Sequence, residues 1–156
     1  MHSRFLLASL VISFVIASVW MTDATVADES SKSDSSQPVI VEDSMHEFME
    51  YVFQPTYRRL KVAMAEAPAE NKGWKAIKSD SLILAESCNL LFARVPEKDA
   101  ADWNRHSAAS RDAGAELYKG AREKKFEVAS AAWKKMLDNC NACHRQFEDG
   151  KHILTP

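Results

Sequence analysis

The pattern of apolar and polar residues after residue 43 predicts four helices. Apolar residues recur there at helical spacing, and no stretch alternates with a period of two for long enough to form a strand. The predicted helices cover about residues 45–67, 73–93, 97–119 and 126–147. Helices of this length joined by short connections favour an up-down arrangement. The sequence therefore predicts an all-α fold, an antiparallel up-down four-helix bundle over residues 44–156.

Local signals mark where the predicted helices begin, bend and end. Ser44 and Glu47 form a capping box at the start of the first helix. Pro55 lies inside that helix, where it removes one backbone hydrogen bond and should cause a kink. Pro96 suits the first turn of the third helix, and Gly120 is the expected cap at its end.

The first 43 residues have a different pattern. Residues 5–20 form an apolar run preceded by Arg4, which has the length of a signal-peptide core and is short for a membrane span. We predict a signal peptide over residues 1–27 and export to the periplasm, with an uncleaved N-terminal anchor as the alternative. Residues 28–43 are rich in acid and serine and are predicted to be a disordered tether. Residues 44–156 form the single folded domain.

The charges do not indicate a nucleic-acid partner. From residue 44 onward the chain has 18 Lys/Arg and 16 Asp/Glu, formally +2, whereas the whole chain is −2. The basic residues are dispersed among acidic ones and form no basic patch. We expect no membrane contact either, unless the N-terminal segment is retained.

A Cys-x-x-Cys-His motif lies near the end of the fourth helix, formed by Cys140, Cys143 and His144. At i, i+3 and i+4 the three residues share one helix face. This spacing is typical of c-type haem attachment, in which the thiols bond to the haem vinyl groups and the histidine binds the iron. A thioredoxin-like dithiol would lie at a helix N-terminus beside a sheet, and a zinc site would need further ligands at matching spacing. The motif predicts one covalent haem c with His144 as proximal ligand, and a haem-free dithiol or metal clip is the alternative.

The third helix offers room for such a group. The middle of its predicted inner face consists of small residues, Ser107, Ser110 and Gly114. Small side chains allow a close approach, either by another helix or by something flat and rigid.

Other polar and titratable residues are interpreted more simply. Cys88 lies on the apolar stripe of the second helix and is expected to be a small buried hydrophobic residue. His106 is expected to be a packed or surface residue, and His152 lies in the C-terminal tail. Arg58 and Arg59 are interpreted as solvated surface, with pairing to a haem propionate as the alternative.

An exported four-helix chain with Cys-Asn-Ala-Cys-His-Arg-Gln-Phe near its C-terminus resembles the cytochrome c prime family, the class II c-type cytochromes. The resemblance covers roughly residues 44–156. It implies an antiparallel bundle with haem near one end, commonly as a homodimer. Family members either bind small gases at a five-coordinate iron or transfer electrons through a six-coordinate one. They usually carry a basic residue just after the position of Phe147, where this chain has Glu148 and Asp149.

The resemblance also implies that the first helix supplies the residue opposite His144. Met45 and Met49 are four residues apart on one face of that helix. Alignment on Pro68 places Met49 at the distal position and Met45 one turn before it, with His46 as a third candidate. Methionine on an apolar stripe is otherwise ordinary core. A five-coordinate iron without a distal ligand is the competing interpretation.

These features together predict an electron carrier. A histidine–methionine pair leaves the iron no open position and raises its reduction potential relative to two histidines. No acid–base pair, nucleophile or second cofactor motif is evident, so we do not predict an enzyme. We predict one-electron transfer with a redox partner protein that the sequence does not identify. The alternative is a five-coordinate haem protein that binds nitric oxide or carbon monoxide.

Overall fold

The computed structural model of the protein describes residues 39–156, and the regular structure in this part is helical throughout, without strands. The α-helices are α1 (Met45–Phe48), α2 (Gln54–Ala63), α3 (Asn71–Asn89), α4 (Ala100–Arg122) and α5 (Phe126–Phe147). A π-helical segment, Met49–Phe53, joins α1 to α2, and a 3-10 turn, Leu90–Ala93, extends α3. The all-α prediction is therefore confirmed as a helical bundle-like fold, in which α1, the π-helical segment and α2 form the first of the four predicted helices.

The predictions for the N-terminus fall mostly outside the described residues. The signal peptide, residues 1–27, and the tether up to residue 38 lie there, and both stay predictions. Residues 39–43 are exposed and belong to no helix, and the carbonyl oxygen of Glu42 accepts a hydrogen bond from Arg94 at 3.3 Å. Within the part of the chain that the structure covers, no helix is both long and apolar enough to span a membrane.

Ser44 caps the start of α1 as predicted, although only half of the capping box forms. The Ser44 hydroxyl accepts a hydrogen bond from the backbone N–H of Glu47 at 3.3 Å. The backbone N–H of Ser44 instead donates to the Glu42 carboxylate at 2.8 Å. Glu42 takes the place that the sequence assigned to the Glu47 side chain, so the cap draws on a residue before the helix.

The chain accommodates Pro55 through the π-helical segment that precedes it. There the backbone N–H of Gln54 donates to the carbonyl of Met49, five residues earlier. Because proline has no N–H, the α-helical hydrogen bond is missing at Pro55, and a wider turn just before it is one way to keep the helix continuous. Such π-bulges are frequent at functional sites. This one begins at Met49, a predicted haem ligand.

The third predicted helix begins later than expected. It starts at Ala100, and Pro96 lies in the loop before it, so the placement of Pro96 in the first turn is wrong. The reason is the backbone of Asp99, which is left-handed (φ 58°, ψ 32°) and therefore cannot belong to the helix.

The sequence predicts Gly120 as the cap of this helix, and this prediction is wrong. The helix continues to Arg122, and Lys124 is the residue with a left-handed backbone (φ 56°). Gly120 is needed for a close approach instead, because a Cβ atom built on it would lie 2.8 Å from the backbone nitrogen of Ala129 in α5. A glycine that permits helix contact and one that ends a helix look alike in the sequence.

Replacing Gly120 with alanine is expected to destabilise the protein. At an open helical position this change would stabilise by about 0.5–1 kcal/mol. Here the added methyl meets backbone that cannot rotate away, so we expect a net loss of roughly 1–3 kcal/mol, typical of overpacking. Chemical denaturation of the purified protein measures this as a lower midpoint with an unchanged slope. A raised midpoint would mean that α4 and α5 have more space than the structure shows.

Helix α4 packs against both α3 and α5. The ring of Trp103, near the start of α4, lies 5.1 Å from that of Phe147 at the end of α5, in an edge-to-face arrangement. Further along α4, the carbonyl of Ala109 accepts a hydrogen bond from Asn139 at 3.0 Å. The start of α4 thus meets the end of α5, and a later part of α4 meets an earlier part of α5.

An ion pair joins α2 to α3. The Arg59 guanidinium donates to the buried Asp80 carboxylate at 2.7 Å, and a second nitrogen of the same group lies 3.2 Å from each carboxylate oxygen. The core between the helices is mostly apolar and also buries polar side chains such as Ser81, Ser107 and Asn141. Its largest completely buried hydrophobic side chains are Leu60, Ile77, Leu117 and Met136.

Candidate functional site

A cavity of about 350 Å³ lies at the end of the bundle where α4 begins and α5 ends. Ligand and cofactor sites in proteins range over about 300–1,000 Å³. The cavity is lined by the first helix, by the ends of α3, α4 and α5, and by the C-terminal tail. Its aromatic walls are Phe53, Tyr57, Trp103, Trp133 and Phe147.

The Cys-x-x-Cys-His motif contributes one side of this cavity. Cys140, Cys143 and His144 occupy the last two turns of α5, and all three line it. The Cys140 thiol lies 3.7 Å from the Ser110 hydroxyl of α4. Both thiols are partly buried against the core. Helical spacing therefore places the three groups on one face, as the sequence indicated.

The first helix brings the two methionines to the same cavity. Met45, at the start of α1, and Met49, at the start of the π-helical segment, are both partly buried and both line it. The structure thus brings together the five residues named as candidate haem contacts, although they come from the two ends of the domain. Their roles as ligands stay predictions.

His46, the third candidate for the distal ligand, is the least suitably placed of the three to bind an iron in the cavity. It lies at the edge of the cavity and is mostly exposed. Its Nε2 atom is 3.2 Å from a carboxylate oxygen of Glu50. A ligand role would require this nitrogen to leave the carboxylate.

His144 is held in one tautomer by the C-terminal tail. Its Nδ1 atom lies 2.9 Å from the carbonyl oxygen of His152. A carbonyl can only accept a hydrogen bond, so Nδ1 carries the proton and Nε2 is left with a free lone pair. Burial lowers the pKa of His144, and the hydrogen bond to His152 opposes this shift. The result is a neutral imidazole, the form that binds a metal. The sequence did not indicate the contact between His144 and the His152 carbonyl.

The thiols of the motif are unlike those of a redox dithiol. Burial raises the pKa of the Cys143 thiol to about 11 and also raises that of Cys140. Catalytic dithiols need the opposite shift, because the thiolate is the attacking species. Cys88 is buried as predicted and lines the same cavity, and burial raises its pKa too.

Besides Ser110, two polar side chains of α4 line the cavity, Ser107 and His106. The Ser107 hydroxyl is buried and has no hydrogen-bond partner among the described residues. Buried polar groups normally have a partner, so such a hydroxyl at a cavity wall is suited to a bound group. His106 is a packed residue, and its Nε2 atom lies 3.0 Å from the side-chain oxygen of Gln146.

The neighbouring arginines have separate roles in the structure. Arg59 is committed to Asp80, whose carboxylate is buried between α2 and α3. Arg58 is exposed and lies at the edge of the cavity. Arg58 is therefore the member of the pair that could contact a charged group of a bound cofactor.

No protein-family model, curated protein or solved structure matches this chain. Within residues 39–156, no group of three or more His, Cys, Asp or Glu side chains is arranged to hold a metal ion. The motif and the geometry of the cavity are therefore the features that bear on the function of this protein.

Proposed function

We propose that this protein is an exported c-type cytochrome of the cytochrome c prime kind, which transfers single electrons in the periplasm to or from a partner protein. Cys140 and Cys143 hold one haem c covalently, and His144 is its proximal ligand. What supports this most directly is the shared cavity: the Cys-x-x-Cys-His face of α5 and the methionines of the first helix line the same space of about 350 Å³.

The proposed architecture is an antiparallel up-down bundle. It is supported by the order of contacts between α4 and α5, in which Trp103 meets Phe147 and Gly120 meets Ala129. Two helices that meet start to end in this way run in opposite directions. Short connections of the kind seen between α4 and α5 are typical of this topology.

The lining residues fit a haem. A porphyrin would bring its own nitrogen ligands for the iron, so the protein would have to supply only the remaining one or two. The free Nε2 atom of His144 suits the proximal position. The aromatic walls suit a flat apolar ring, the Ser107 hydroxyl is open to a bound group, and Arg58 at the edge suits a propionate. When bound, haem supplies one-electron chemistry, and the chain supplies its burial and its ligands.

Met49 is the proposed distal ligand. It lies at the first residue of the π-helical segment and lines the cavity with His144. A thioether opposite imidazole favours Fe(II) relative to a second imidazole. Since Met49 and His144 would then both bind the iron, the site would be suited to electron transfer.

Binding of nitric oxide or carbon monoxide is the second candidate. It is favoured by the apolar residues Phe53 and Leu91, which line the cavity with the methionines and could cover the distal face without bonding to iron. In that case the iron would be five-coordinate and open to a small gas.

Two spectra test the proposal on protein matured in a host that exports c-type cytochromes. Pyridine haemochrome analysis is expected to show one covalent haem per chain, and the optical spectra of the ferric and ferrous forms are expected to be low-spin. High-spin spectra in both forms, with ready carbon monoxide binding, would favour the gas-binding candidate. Absence of covalent haem would instead favour a haem-free dithiol or metal clip.

A further inference from the structure

The C-terminal tail, residues 151–156, turns back along the bundle after α5 ends. The reversal uses a left-handed backbone at Asp149 (φ 51°), Gly150 (φ 73°) and His152 (φ 57°). The backbone N–H of Gly150 also donates to the His144 carbonyl at 3.0 Å. A left-handed backbone is unfavourable for residues other than glycine, and it persists where the surroundings determine it.

Two side chains bind the backbone of the tail in this position. Asn141 in α5 donates to the Leu154 carbonyl at 2.9 Å and accepts from the Leu154 N–H at 2.7 Å. Tyr57 in α2 donates to the Thr155 carbonyl at 2.8 Å and accepts from the Thr155 N–H at 3.1 Å. Asn141 and Tyr57 therefore each satisfy both backbone polar groups of one tail residue. Lys61 in α2 also donates to the Thr155 hydroxyl at 2.5 Å, so the tail is fixed to α5 and α2 together.

The same arrangement places the His152 carbonyl 2.9 Å from the Nδ1 atom of His144. A histidine that binds a metal usually donates its other N–H to such an acceptor. This contact fixes the ring orientation and makes the imidazole a stronger donor to the metal. His152 contributes through its backbone, so its side chain has no part in this contact.

We propose that the tail is a clamp on His144, and that Asn141 and Tyr57 are the positioning residues that hold it. The clamp keeps Nε2 of His144 directed into the cavity and strengthens its bond to iron. This inference rests on the proposed function, because it concerns the iron bond of His144.

Tyr57→Phe tests the clamp with the smallest change. It removes the hydroxyl that binds Thr155 and keeps the ring, which lies 5.9 Å from that of Trp133. The matched control is Tyr51→Phe, because Tyr51 is 67% exposed and belongs to the same first helix. Asn141→Ala removes the contact of the tail with α5. Deletion of residues 151–156 removes the tail altogether.

The bond between His144 and iron is measured by its stretching frequency in the resonance Raman spectrum of the ferrous protein. The variants are made in a Met45→Ala/Met49→Ala background, so that neither thioether occupies the sixth position. We expect a downward shift in frequency for Tyr57→Phe and Asn141→Ala and the largest shift for the deletion. Tyr51→Phe should leave the frequency unchanged. In the unmodified background, Tyr57→Phe should also raise the reduction potential, because a weaker imidazole donor stabilises Fe(III) less.

His152→Asn separates the backbone contact from a side-chain role. Asparagine tolerates a left-handed backbone, so the carbonyl should stay in place and the frequency should not change. Covalent haem with an unchanged frequency in both Tyr57→Phe and the deletion would overturn the clamp and leave the proposed cytochrome function intact. Absence of covalent haem in the unmodified protein would refute that function, and the clamp with it.

Discussion

Replacing Cys140 and Cys143 together with alanine is expected to abolish covalent haem attachment. Without a bound group, the cavity of about 350 Å³ is left open at the end of the bundle. Loss of a bound group withdraws its binding free energy from the folded state and exposes the apolar walls of the cavity to water. We therefore expect a large fall in thermal stability as well as the loss of haem absorbance.

The matched control is Cys88→Ala. Cys88 is the third thiol that lines the cavity, but it is buried in α3, outside the motif. This variant should keep one covalent haem per chain in pyridine haemochrome analysis, with a modest loss of stability for the removed sulfur. If the double alanine variant still carried covalent haem, or if Cys88→Ala lost it, the attachment assigned to the motif would be wrong.

Met49→Ala is expected to change the iron from low-spin to high-spin and to open it to carbon monoxide. Removal of the thioether leaves the distal position to water or to no ligand, so carbon monoxide binding should go from essentially none to one molecule per haem. The reduction potential should fall, because thioether sulfur stabilises Fe(II). Optical spectra of the ferric, ferrous and carbon monoxide forms measure the change, and a redox titration measures the potential.

Two other methionines provide controls for this experiment. Met45 lines the same cavity one turn away, and Met45→Ala should keep the low-spin spectrum. Met64 is buried at the end of α2 and does not line the cavity, so Met64→Ala should lower stability without altering the spectrum. A high-spin spectrum in Met45→Ala alone would reverse the ligand assignment. High-spin spectra in the unmodified protein would favour the gas-binding candidate.

Much of the fold could be predicted from local patterns. The apolar stripes identified all four helices because a helix buries residues at a fixed spacing whatever it packs against. The hydroxyl cap at Ser44 was also predictable, because its partner, the N–H of Glu47, lies three residues away in the same turn. Likewise, helical spacing alone places Cys140, Cys143 and His144 on one face.

Features that depend on contacts between helices were predicted poorly. The sequence predicts a cap at Gly120, whereas the structure requires glycine there because Ala129 of another helix comes close. Helix α4 begins only after Asp99, whose backbone is left-handed. The residues around Pro96 give no local signal of this later start. The π-helical segment before Pro55 is a further case: a proline interrupts the hydrogen bonds of a helix, but it does not specify how the backbone compensates.

The sequence by itself determined the spacing of the motif and the helical faces, since both depend on residues a few positions apart. The tertiary structure decided which residues share the cavity with His144. Met49 reaches it because the first helix packs against α3 and places its methionines on the wall of the cavity, and the His152 carbonyl reaches it because Asn141 and Tyr57 hold the tail. The tail has no periodic pattern, and its contact with Tyr57 joins residues 98 positions apart. Such contacts have no local signal, because they exist only after the helices have packed.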